Sequence, residues 1–178
     1  PKEIADQIRN TYTDENGEVN LKAFFDLLAI HELGHAFQKA AEMEKQRSWL
    51  SELLCNLLLH TYVAEKNPEL LTTLTTFPQM TVNAMDASNL TYTTLEDFES
   101  KYNEIAQKHP DNYGWYQCRF HVAAGEIYDL GGEKAMIDLW KALINQKEKL
   151  DDKSLTEFLS TKSPELKQIM LDWNKNIT

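Results

Sequence analysis

The chain has 178 residues, 42% hydrophobic and 26% charged, with 28 Asp+Glu against 18 Lys+Arg and a net charge of −10. That size suits a single helical domain over 1–178 with a core of its own, and the composition is that of an ordinary soluble globular chain. An acidic balance without a basic stripe argues against nucleic acid as a partner, and no run of about 18 apolar residues is present to span a membrane. The N-terminus is polar and lacks a signal-peptide core. Because a mature chain has lost its signal, the compartment stays open, secreted or periplasmic included.

In chain order, residues 3–10 predict a short helix, followed by a turn at 14–17. A helix is then expected from about Asn20 to Lys45, with Phe24, Phe25, Leu28, Ala29, Leu33 and Phe37 at helical spacing. Its far end turns strongly polar and is expected to leave the core. A second helix, about 48–66, carries leucines at 50, 53, 54, 57, 58 and 59 and is apolar almost all round, the pattern of a buried helix. The threonine-rich segment 72–94, with Pro78, is expected to hold either a short extended element or a loop over a cleft. Helices follow at about 95–108 and from Asp111 or Asn112 to Tyr128. Gly131 and Gly132 stop the latter, and another helix covers 133–146. Ser154 and Glu157 form a capping-box pattern, and Ser163-Pro164 opens a last helix. The fold class is therefore all-α. Cys55 and Cys118 fall in apolar stretches and are expected as buried free thiols. The tripeptides Asn89-Leu90-Thr91 and Asn176-Ile177-Thr178 are short enough to arise by chance.

The chemistry lies in His31-Glu32-Leu33-Gly34-His35. On a helix, residues four apart share a face, so both imidazoles point the same way and can hold one ion. Zinc accepts neutral imidazole nitrogens without a demanding geometry. Glu32 projects beside such an ion, where it can move the proton of a bound water. This is the HExxH pattern of zinc peptidases.

Two histidines leave a tetrahedral zinc short of one protein ligand, with the fourth place for water. Glu52 is the best candidate, because a carboxylate on an otherwise apolar helix needs a cation. A salt bridge to Arg or Lys would also satisfy it, and His60 and His121 are rivals for the third place. Glu52, Asn56 and His60 recur at four-residue intervals as a polar seam. Asn56 is placed to hydrogen-bond a ligating histidine.

With Trp49-Leu50-Ser51-Glu52 following the HExxH segment, the chain resembles the gluzincin peptidases, especially the aminopeptidase N and leukotriene A4 hydrolase group. That resemblance implies a zincin-like helical lobe with Zn2+ on His31, His35 and Glu52 and with Glu32 as catalytic base. Ser51 stands where the family usually has Asn, and the connection between the two motif helices is shorter. The stretch from Tyr116 to Gly131-Gly132 is similar to the family's helix that starts with a catalytic tyrosine. It implies Tyr116 as donor to the oxyanion, with Tyr113 on the same face as its substitute.

Those peptidases place a β-rich lobe before the motif helix, and the residues preceding His31 look helical and turn-like. Either the chain is the catalytic lobe of a larger protein, or another segment such as 72–94 grips substrate. The function expected is hydrolysis of a peptide or protein substrate. The alternatives are a non-catalytic zinc-binding or peptide-binding module derived from a peptidase, and a helical binding domain without metal.

Overall fold

The computed structural model describes residues 2–173, so the tripeptide at 176–178 lies outside it. The described chain is all-α: α1 (Lys2–Tyr12), α2 (Lys22–Ala40), α3 (Ser48–Lys66), α4 (Leu71–Ala84), α5 (Leu95–Lys108), α6 (Pro110–Asn145), α7 (Asp152–Lys162) and α8 (Pro164–Trp173). Its one β feature among the described residues is an isolated bridge, Thr13 to Val19, closing the turn after α1. No described helix is long and apolar enough to cross a membrane.

α3 is the axis of the molecule. Its leucines face in two directions: Leu50, Leu53, Leu54 and Leu57 enter a large core with α5 to α8, while Leu59 and Val63 enter a smaller one with Tyr12, Phe24 and Leu74. Each such side chain fully withdrawn from water contributes about 1.5–3 kcal/mol. α3 thus joins a core shared with α1, α2 and α4 to one shared with α5 to α8.

The first part of segment 72–94 is neither the extended element nor the loop expected there. Residues 71–84 are helical, because Leu74, Pro78 and Met80 bury on the bundle and the threonines bond back along the helix. Thr75 Oγ1 donates to the Leu71 carbonyl and Thr81 Oγ1 to that of Phe77, which removes their preference for other backbone states. Pro78 sits inside α4, where its ring presses on the preceding turn. The Tyr12 hydroxyl enters that turn, donating to the Thr73 carbonyl and accepting from the Phe77 N–H.

Other boundaries also shift. α2 ends at Ala40, not near Lys45, and the polar stretch after it turns back onto the protein. Buried Gln46 donates to the Glu148 carbonyl and accepts from the Leu150 N–H. α6 begins at Pro110 with His109 as its cap residue. Gly132, at φ 61 and ψ −159, breaks α6 where the glycine pair predicts a stop, and the helix resumes directly beyond it. Asp151 rather than Ser154 caps α7, its carboxylate accepting the Ser154 N–H. The Thr94 start of α5 is a full capping box with Asp97. Cys55 and Cys118 are both free and buried.

One contact sets the distance between α2 and α3. A Cβ on Gly34 would lie 2.9 Å from the Cys55 Sγ and 3.3 Å from its Cα. Gly34, inside the HExxH segment, is therefore what lets the two helices close. Replacing it, Gly34→Val, is expected to destabilise the fold by about 2 kcal/mol or more, read as a lower midpoint in urea denaturation. An unchanged midpoint would show that the helices can part without cost.

Candidate metal centre

α2 carries His31 and His35 one turn apart, their rings 4.9 Å between centroids and nearly perpendicular. Across the Gly34 contact, α3 presents Glu52. Its Oε2 lies 3.3 Å from His31 Nε2 and 3.6 Å from His35 Nε2. One donor atom from each of the three residues falls within 4.8 Å of the others, so the group could hold a metal ion.

Asn56, one turn beyond Glu52, decides how His31 is protonated. Its Nδ2 donates to the Glu52 carbonyl, which leaves its Oδ1 to face His31 Nδ1 at 3.1 Å. An amide oxygen only accepts, so Nδ1 must carry the hydrogen. In the neutral ring Nε2 then holds a lone pair, and that lone pair faces a carboxylate oxygen. Two acceptors at 3.3 Å in a buried place are compatible only with something positive between them, a proton or a metal cation.

The charge balance agrees. Burial alone would raise the Glu52 carboxyl, but hydrogen bonds and positive charge from His31 and His35 outweigh it and bring it down to about 2. His35 is raised, chiefly by its hydrogen bond to Glu52, with burial opposing. Gln117 Nε2 donates to the same Glu52 oxygen at 3.3 Å.

These residues line a cleft of ≈ 660 Å³ between α2, α3, α4, α5 and α6. Glu32 borders it without belonging to the three-residue group. Tyr113 borders it too. Its phenol is raised by burial and by the charge of Glu52, so it remains a donor at neutral pH.

Tyr116 is elsewhere, and this corrects the expectation drawn from the glycine pair. It is fully buried among Phe98, Trp115, Phe120 and Trp173, and its hydroxyl donates to the Thr94 carbonyl at 2.7 Å. The two tyrosines are three residues apart on α6, and the aromatic side chains from α5 and α8 claim the second.

The rival third ligands also separate. His121 borders the cleft 6.5 Å from the His31 ring, outside the ligand group. Burial, with His31 and His60 adding like charge, pushes it down to about 3, so it stays neutral. His60 faces a different cavity of ≈ 330 Å³ between α3, α4 and α6, and the His121 ring borders both spaces.

Two cleft residues carry no signal in the sequence. Tyr102 of α5 stands beside Tyr113, with ring centroids 6.5 Å apart. Lys45, in the connector after α2, lies over the Tyr102 ring at 5.9 Å from its centroid. Their place depends on how α5 packs and on the connector turning back, neither of which leaves a local pattern.

Comparison with protein-family models, with curated proteins and with solved structures finds no match to the chain.

Proposed function

We propose that the chain is a zinc-dependent peptidase whose ligands are His31, His35 and Glu52. One observation carries this reading: His31 Nε2 is set against Glu52 Oε2 in a buried place, with Asn56 holding the hydrogen of the neutral ring on Nδ1, so that the gap calls for a positive charge. Two imidazoles and one carboxylate, with a coordination place left open, are the donors of catalytic rather than structural zinc, which takes four protein ligands. That difference favours the peptidase over a non-catalytic zinc module. The likeness of the HExxH…Glu pattern to gluzincin peptidases points the same way.

Bound there, zinc would polarise a peptide carbonyl and make a water acidic enough to lose a proton near neutral pH. The work of the chain's own residues follows from their positions. Glu32, at the cleft edge, would take a proton from the water whose oxygen adds to the peptide carbonyl carbon and pass it to the leaving amine as the C–N bond breaks. Tyr113 donates its phenol hydrogen to the oxygen that gains negative charge on the substrate. Asn56 keeps His31 in a single tautomer, and Gln117 steadies the carboxylate of Glu52.

Glu32→Gln should retain stoichiometric zinc and lose hydrolysis of a casein or mixed-peptide substrate by about a hundredfold or more. Cleavage at the wild-type rate would reject the mechanism. Tyr113→Phe should lower kcat by roughly a hundredfold with little effect on stability. Tyr116→Phe should do the reverse, leaving kcat intact and costing about 1 kcal/mol of stability for the lost Thr94 bond. Protons compete with the metal for His35, whose pKa is raised. Zinc affinity, measured by chelator competition, should therefore fall as pH drops through and just above the ordinary imidazole range. A flat profile from pH 8 to pH 6 would exclude an imidazole ligand set.

A further inference from the structure

The cleft has two unlike ends, and the ring contacts order what lies between them. Phe24 touches both Phe77 of α4, at 5.1 Å, and His121, at 5.8 Å. His121 is next to His31, and His31 next to His35. Lys45, in the connector that follows α2, and Tyr102 border the same cleft. One end is therefore aromatic and aliphatic, closed by Phe24, Phe77 and Leu28 and edged by Phe25. Phe25 is 56% exposed, a large apolar surface left open to water beside the ligands.

The other end is cationic. Lys45 takes part in no salt bridge among the described residues, and its ammonium rests on the Tyr102 ring. With a divalent ion in place, Glu52 and Glu32 together match its two charges. The charge of Lys45 is then the uncompensated one in the cleft of a chain that is otherwise strongly acidic.

Resting on the peptidase reading, we infer that the substrate is a peptide with a bulky apolar side chain on one side of the scissile bond and a carboxylate on the other, the carboxylate being received by Lys45. The aromatic end supplies affinity by burial, and the lysine supplies selection, since only an acid forms a hydrogen bond with its ammonium in which both partners are charged. The carboxylate is either the free C-terminus of a short peptide or an acidic side chain, and both offer Lys45 the same charge-assisted hydrogen bond.

The test measures binding, not turnover. Zinc-loaded protein is titrated calorimetrically with three dipeptide hydroxamates of equal apolar character: one with a free C-terminal carboxylate, one with a C-terminal amide, and one amidated but carrying a glutamate side chain. The expected result is about tenfold tighter binding of at least one acid than of the neutral amide. Which acid gains identifies the source of the carboxylate. The advantage should vanish in Lys45→Met and persist in Lys45→Arg, while Phe77→Ala weakens all three probes alike. Equal binding of acids and amide overturns the inference and leaves the peptidase reading standing. Zinc-loaded protein that binds none of the hydroxamates overturns both.

Discussion

The meeting of one carboxylate with two imidazoles across a helix pair is the constraint around which this molecule is arranged. Glu52 comes within hydrogen-bonding range of His31 and close to His35 because α2 and α3 are pressed together at Gly34 and Cys55. Burying a carboxylate costs several kcal/mol unless positive charge accompanies it. Here the compensation is local and directional. Asn56 fixes one ring, Gln117 steadies the acid, and both belong to helices whose remaining faces are occupied by the cores. A loose site would let the acid swing to solvent. This one holds it among its partners.

Around that pair the other helices act as walls. α4 brings Phe77 to the cleft, α5 brings Tyr102, and α6 brings Tyr113, Gln117 and His121. The irregular stretch before α5 is held by its carbonyls: those of Tyr92, Thr93 and Thr94 accept from Asn112, Trp173 and Tyr116. Tyr116 is thus one of three struts that hold the start of α5, away from the cleft.

The grouping of His31, His35 and Glu52 was legible in the sequence because each part of it is local. His31 and His35 are one turn apart, and Glu52 and Asn56 interrupt a leucine-rich helix at the same spacing. What long-range packing decides was not legible. Tyr113 and Tyr116 differ by three positions on one helix, and only the aromatic partners from α5 and α8 determine which enters the core. Lys45 reads as the tail of a polar helix until Gln46 is seen anchored to the loop after α6. Threonines in 72–94 carry a β preference that helical burial of Leu74, Pro78 and Met80 overrides. The all-α class survived these local errors because it rests on the period of many apolar residues and not on any single cap.

The Tyr12 hydroxyl ties these layers together in an unexpected place. Lodged between the Thr73 carbonyl and the Phe77 amide, it bridges two backbone groups one turn apart on α4 from the first helix. Phe77 is the residue whose ring faces the cleft. α1, which contributes no residue to the cleft lining, is therefore tied through one phenol to the very turn that carries Phe77 into the cleft wall.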